Sequence, residues 1–511
     1  FKNFNFFFAK ASISFFSFES FKAVLPIFFA LFYIYCRYRL SYWRRRGVRE
    51  VPNANLLFGH FKNGFLFRTA PGYHLGEVYK QAPKDAPVAG FYIFHKPCLL
   101  LKDPQIIKQI LIRDFDNFSD RHFGGPWQKD SVGMKNLFGL KNPAWKYLRS
   151  KVSPLLTKTK LKQILPFMME TGQPMMEYLD KEIKDNGKVV DVQDVNYIYT
   201  ADLIANIVLG TKTNTFKNPN TDFYKFFMDF FRGFKRMVAL VIVFFMPELV
   251  KVIGNPVFVN SKYVQKLFWS TIEEREKSGV KRGDFIDSII QLKNSEQNSL
   301  YKFEGENLMF QIGQFFSGFE SSSIAVAFTL MQLAKQKPLQ DRAREDIKQA
   351  IDKHGWTIEA FNEMKYIDQC VAEGVRLHPA VSTIDRYTKE DYKIPDTDIV
   401  IEKGTPIFIS LYGLHNDPQF FDNPTLFDPE RFAEGKKVSD ANIPFGIGPR
   451  MCVGMKVGQL HVKVILALIL SQYELHQEPN VVTELDSRAT LTAAADGINI
   501  QLRRLANSLV N

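Results

Sequence analysis

The stretch Phe445-Gly446-Ile447-Gly448-Pro449-Arg450-Met451-Cys452-Val453-Gly454 runs directly into the apolar, helix-patterned segment MKVGQLHVKVILALIL at 455–470. A single cysteine stands where a glycine-rich loop meets a helix start. The first amides of a helix lack intrahelical partners and carry the positive end of its dipole, so they favour a thiolate. Glycines on the same loop let a flat cofactor approach the backbone. The combination suits an anionic sulfur ligand to iron. A buried, inert cysteine is the plainer alternative, because free cysteines are commonly buried. Gly446-x-Gly448 begins like a dinucleotide fingerprint, but Met451 occupies the place of the third glycine, which excludes a Rossmann reading.

Around this loop the chain has 511 residues, 46% hydrophobic and 23% charged. These values lie near the globular averages, so the chain can bury a large core and is not mainly disordered. Sixty-six Lys and Arg against 54 Asp and Glu leave a net charge of +12, a moderate excess that suits a membrane surface, an acidic partner or nucleic acid. The four cysteines, Cys36, Cys98, Cys370 and Cys452, form no C-x-x-C pair. That excludes a disulfide framework and a structural zinc site. There is no G-x-S-x-G for a hydrolase and no basic–aromatic motif for nucleic acid, so no nucleic-acid partner is expected.

Towards the N-terminus, AVLPIFFALFYIYC at Ala23–Cys36 carries no charge and is followed by Arg37, Arg39 and Arg44-Arg45-Arg46, with Tyr38, Tyr42 and Trp43 between them. An apolar run with an aromatic and basic flank reads as a transmembrane signal-anchor over 21–47, its body on the cytosolic side. The run is shorter than the ~20 residues that cross a bilayer. A cleaved signal peptide is disfavoured by the lack of a small-x-small site, and a buried core helix by the five arginines that follow. Residues 1–20 are set apart as an N-terminal extension, and GVREVPNANLLFG marks the entry to a single domain over 48–511. Strands are expected at Val88–Phe94 and Cys98–Leu101, after which helical periodicity dominates from Gln105 to Lys389. A mainly α fold with small β-sheets follows. The uncharged run Met237–Pro247 is either a core helix or a loop dipping into lipid.

Further motifs lie at fixed places along the chain. Trp145 and Arg149 are one helical turn apart. The helical pattern FQIGQFFSGFESSS at 310–323 contains two glycines at a cost of ~1 kcal/mol each. Glu373-x-x-Arg376 places a carboxylate and a guanidinium on one helix face, an arrangement also common in solvated surface pairs. Pro429-Glu430-Arg431-Phe432 follows, and then the cysteine loop.

Taken jointly and in this order, these motifs resemble the cytochromes P-450, the haem-thiolate monooxygenases, from about Tyr38 to Leu502. The wording at SYWRRRGV, EEREKSGVKRGDFID and FFSGFESSS is similar to insect microsomal members that oxidise plant toxins and insecticides. The resemblance implies a single large P-450 fold holding haem b (iron protoporphyrin IX), with Cys452 as axial ligand and Trp145, Arg149, Arg386 and Arg450 at the propionates. It implies that Gly318 opens a groove for oxygen and that Glu320 and Ser321 relay protons. Ser317 and Ser321 depart from the usual Ala/Gly and Thr, and a serine lacks the methyl that restricts a threonine rotamer. Glu373, Arg376 and Arg431 become a buried structural triad, while Phe123, Phe316, Phe319, Val381, Thr383 and Thr492 become pocket lining. The implied partners are an NADPH–cytochrome reductase, cytochrome b5 and the endoplasmic reticulum membrane, with Lys146, Lys151, Lys456 and Lys463 offering a basic docking face. The implied reaction inserts one oxygen atom from O2 into a lipophilic small molecule. A haem-binding sensor or hydrophobic-ligand carrier, and a reductase-independent haem-thiolate isomerase, are the alternatives.

Overall fold

A computed structural model describes residues 18–123, 135–183, 187–253 and 262–506. The helices that build and flank the site are α1 (Phe18–Arg39), α2 (Ala144–Val152), α3 (Lys158–Glu182), α4 (Val192–Val208), α5 (Asp222–Arg232), α6 (Phe234–Phe245), α7 (Glu306–Ala334), α8 (Lys365–Leu377) and α9 (Met455–Gln472). The strands used below are β1 (Val88–Ile93), β2 (Lys96–Leu101), β3 (Lys188–Asp191), β4 (Thr383–Tyr387), β5 (Pro406–Ser410), β6 (Tyr473–His476) and β7 (Asn499–Arg504). The helix-rich architecture with small sheets agrees with the expected class.

One sheet has the order β1-β2-β5-β4. Its β1–β2 hairpin pairs Val88 with Leu101 and Ile93 with Lys96, β2 runs parallel to β5, and β5 pairs antiparallel with β4. A second sheet, β3-β7-β6, joins residues more than 300 positions apart, Lys188 opposite Leu502.

The helical core is centred on α7 and α9. From Ser322 to Ala334 every residue of α7 is buried except the half-buried Gln332, and α9 is buried throughout Leu460–Ser471. A helix apolar on all sides must be enclosed by neighbours, and α9 packs against α3, α7 and α8. Small residues set the closest approaches. A Cβ on Gly374 of α8 would collide with Thr329 of α7, and one on Gly458 of α9 would sit 3.1 Å from the Ser322 hydroxyl.

The entry to the domain differs from expectation. Trp43 is fully buried, its indole N–H donating to the Phe91 carbonyl at 3.3 Å. It occupies a seat that exists only because residue 90 is glycine; a Cβ there would collide with the Trp43 ring. Val48 and Val51 are buried too, and the Val51 amide bonds to Gly90. The expected linker is therefore packed into the β1 sheet core.

Among the described residues no helix is long and apolar enough to cross a membrane. The uncharged part of α1 is the 14 residues Ala23–Cys36, about 21 Å at 1.5 Å per residue against ~30 Å of hydrocarbon. The run Met237–Pro247 falls mostly within α6, with Met237, Ala239, Val241, Val243 and Phe245 buried, which settles it as a core helix.

Candidate active site

The cysteine loop is folded by its glycines. Gly446 and Gly448 have φ of 70° and 76°, the left-handed region that side chains disfavour. A Cβ on Gly448 would also collide with the Leu111 carbonyl. The resulting turn lets the Cys452 amide donate to the Phe445 carbonyl at 2.8 Å. The helix cap is Gly454, so Cys452 lies two residues before it. Burial pushes the Cys452 thiol up, opposed by the Gly454 amide and by the guanidiniums of Arg149 and Arg121. A coordinating metal removes that proton outright.

Cys452 is exposed even though its surroundings desolvate it, so it opens into a recess in the fold. Gly318 is also exposed between the buried Phe316 and Phe319 of α7, and a Cβ there would meet nothing within 4 Å. The Ser322–Gly458 contact marks where α7 crosses α9. Gly318 lies one turn before it on α7 and Cys452 six residues before it on the loop, so the two openings flank that crossing.

Three guanidiniums gather beside the loop. Arg450 donates to the Ser119 carbonyl and, at 2.7 Å, to Leu140; its guanidinium lies 4.2 Å from the Trp145 ring centroid. Arg386 donates to the Asp385 carbonyl, and Arg121 sits 3.9 Å from the Asp385 carboxylate. Burial and the charges of Arg121 and Arg386 pull Arg450 down to about 8. Burial and Arg121 pull Arg386 down to about 9. A guanidinium does not give up its proton in a protein, so these shifts express buried positive charge with too little anion beside it. Arg450 Nη1, Arg386 Nε and Arg121 Nε have no hydrogen-bond partner among the described residues. Arg149 donates to the Met451 carbonyl at 3.0 Å and so braces the loop.

The Glu373 triad is assembled as expected. Arg376 makes a two-pronged pair with Glu373 at 2.6 and 2.7 Å, Arg431 reaches the same carboxylate at 3.3 Å, and the Asp428 amide bonds to it at 2.9 Å. Arg376 is further bound by the carbonyls of His415 and Pro424. Glu373 and Arg376 side chains are 0% exposed, so each polar group satisfies the others in the absence of water.

On α7 the expected relay is not free. Glu320 forms a buried two-pronged ion pair with Arg236 of α6 at 3.2 and 2.7 Å, and Ser321 donates back to the Gly318 carbonyl at 2.8 Å. Of the pocket candidates, Phe123 packs on Phe244 and Phe316 on Phe227, with ring centroids 4.7 and 5.5 Å apart. Val381 and Thr383 are half-buried at the start of β4. Phe319 also packs against His461 of α9, and the Thr492 hydroxyl donates to the Pro379 carbonyl at 2.7 Å. Lys463 is withdrawn from the docking face, since it is buried and paired with Asp368 at 2.8 Å.

These parts stand in the chain order of one known family. The cytochrome P-450 family model matches residues 52–499. This chain belongs to the cytochrome P-450 family. Among curated relatives, cytochrome P-450 6k1 of Blattella germanica is 36% identical over 495 residues, covering 91% of this chain and 93% of that protein. Probable cytochrome P-450 6g2 of Drosophila melanogaster is 34% identical over 492 residues, covering 91% and 94%. Cytochrome P-450 6l1 of Blattella germanica is 33% identical over 473 residues, covering 90% and 92%. The protein is thus a P-450 monooxygenase similar to insect members numbered in family 6.

The family implies a haem-thiolate cofactor, and the residues of this P-450 fit it. Guanidinium nitrogens without partners suit carboxylates, the open cysteine supplies sulfur, and the space beside Gly318 admits a flat group. When bound, that group supplies dioxygen activation, the thiolate pushing electron density to favour O–O cleavage.

Proposed function

We propose that this P-450 holds haem b through Cys452 and inserts one oxygen atom from O2 into lipophilic small molecules, with xenobiotics such as plant toxins or insecticides as the substrate class. Electrons come from NADPH through a separate flavoprotein reductase, with cytochrome b5 as a second donor. The observation that carries the reading is the convergence of Arg121, Arg386 and Arg450, short of anions, beside an exposed cysteine on a braced loop. Arg450, Arg386 and Arg121 would hold the propionates, Trp145 backs Arg450, and Arg149 fixes the loop that presents the sulfur. Phe123, Phe316, Val381 and Thr383 shape an apolar, aromatic pocket. Ser321 moves protons within it, and the neighbouring Glu320 supplies them when unpaired. Lys146 and Lys456 are exposed and Lys151 half-exposed, and they offer the reductase a basic face.

Membrane attachment belongs to the same proposal. Ile27, Phe28, Phe29, Leu31 and Ile34 of α1 are each 57–62% exposed, an apolar surface that water disfavours and lipid accepts. We place α1 in the endoplasmic reticulum membrane with the catalytic domain on the cytosolic side. The test is reconstitution with reductase, NADPH and isotopically heavy dioxygen. One heavy oxygen atom in the product supports monooxygenation; turnover without NADPH would favour the isomerase, and ligand binding without turnover the carrier.

A further inference from the structure

His415 closes the short helical turn Leu411–His415 that follows β5, and it is 0% exposed. Both of its ring nitrogens are bonded. Nδ1 lies 3.2 Å from the Arg376 carbonyl, and Nε2 lies 3.2 Å from the Ile443 amide nitrogen. The Ile443 N–H can only donate, so Nε2 accepts, and the proton of a neutral imidazole then sits on Nδ1 and is donated to Arg376. Burial and the charge of Arg376 pull the imidazole down to about 3, so it is neutral under working conditions and its tautomer is fixed by its partners. Arg376 also donates to the His415 carbonyl at 2.7 Å. Main chain and ring of His415 are therefore both tied to α8.

Beyond Ile443 the bonds continue towards the sulfur. Ile443 is buried, and its carbonyl accepts from the Gly446 amide at 2.9 Å, where the cysteine loop makes its first left-handed turn. The next bond runs from the Cys452 amide to the Phe445 carbonyl. Among the described residues the charged Glu373 triad makes no direct hydrogen bond to the loop, and the imidazole is the link between them. We infer that His415 is a positioning residue for Cys452: its Nδ1–H tautomer, set by the Arg376 carbonyl, presents Nε2 to the Ile443 amide and holds the near end of the loop. The inference rests on the haem-thiolate reading above. Arg149 holds the same loop at Met451, so the sulfur is carried on a segment fastened on both sides. Where the triad satisfies buried charge, His415 is neutral and acts through the direction of its ring nitrogens. With its acceptor removed, the Ile443 amide is buried and unpaired, and the loop relieves that cost by moving towards water.

The test uses the holoenzyme, after the wild type has shown the thiolate spectrum; a wild type lacking it would fail the functional reading before His415 is tested. Glutamine places its side-chain oxygen where Nε2 stood and can accept from Ile443. Asparagine places its amide nitrogen where Nδ1 stood and serves Arg376 alone. The first readout is the rate at which the reduced, carbon-monoxide-bound protein loses its thiolate band, with haem retained, at a temperature below global unfolding. His415→Asn should speed that loss at least about ten-fold, the scale of one buried hydrogen bond. His415→Gln should stay within about three-fold of wild type. A merely structural histidine would rank the two variants by their unfolding midpoints instead. Equal rates in the two variants, or a faster loss in His415→Gln, overturns the inference. The second readout is nitrogen NMR of isotope-labelled histidines in the diamagnetic carbon-monoxide form, with His415 assigned by the resonances missing from His415→Gln. The wild type should carry the ring proton on Nδ1, and a proton on Nε2 overturns the inference. If His415→Asn does not fold, the tautomer and His415→Gln decide alone: a proton on Nε2, or a loss about ten-fold faster in His415→Gln, overturns it.

Discussion

Arg121, Arg386 and Arg450 carry the residue-scale logic of this P-450. Arg121 lowers Arg386, both lower Arg450, and each of the three keeps a buried nitrogen without a hydrogen-bond partner among the described residues, an arrangement that suits added carboxylates. Arg450→Met and Arg121→Gln should each lower the haem-to-protein ratio after desalting, Arg450→Met more, because it also loses the bonds to Ser119 and Leu140. Full haem retention in both would remove these arginines from the propionate site. At Ser321 the hydroxyl is anchored to Gly318, yet a serine rotates more freely than a threonine. Ser321→Thr should therefore reduce peroxide released per NADPH consumed, and an unchanged yield would show that rotamer freedom does not cause leakage. Cys452, Arg450 and the Glu373 triad were legible because their motifs are local in sequence. Arg121 and Arg236 were not. Arg121 reaches the loop through a chain segment about 330 positions away from Arg450, whose bond to Ser119 spans 331. The one signal for Arg121 was its place two residues before Phe123, already a pocket candidate. Arg236 could have been noticed as a lone charge ahead of an apolar helical run.

At the scale of elements, close packing of α7, α8 and α9 fixes the site. The Glu373 carboxylate has no water to fall back on. Glu373→Gln should cost about 3–5 kcal/mol, the penalty for stranding buried charge, read from denaturant midpoints; a loss below about 1 kcal/mol would contradict the triad's structural role. Trp43→Ala should cost about 3–5 kcal/mol through the cavity it leaves in the β1 sheet core. A chain begun at residue 48 should lose the same contribution, whereas one begun before Leu40 should keep it. The helices and the β1–β2 hairpin were readable from periodicity, since that pattern is written within each segment. The sheet β3-β7-β6 was not, because strand pairing is decided by partners distant in the chain. The entry segment misled for a related reason: Pro52 and the asparagines signal turns, while the glycine that seats Trp43 lies 47 positions on at residue 90.

For the whole molecule, the charge excess of +12 suits both surfaces proposed above, a lipid one at α1 and a reductase one near the cysteine loop. Lys146→Glu with Lys456→Glu should raise the KM for reductase at low ionic strength and have a smaller effect at high salt, where exposed charges are screened. An effect independent of salt would place reductase docking elsewhere. Family and fold class were legible at this scale because several motifs agreed in order, whereas the proposed pocket draws on aromatic rings brought together from α5, α6, α7 and the segment before 124, which no local pattern encodes. The central claim, that Cys452 ligates haem iron as a thiolate, is tested most directly by the absorption spectrum of the reduced, carbon-monoxide-bound protein. The account predicts the strongly red-shifted Soret band of thiolate ligation in wild type and its loss in Cys452→Ser; a histidine-like or free-haem band from folded wild-type protein would contradict it.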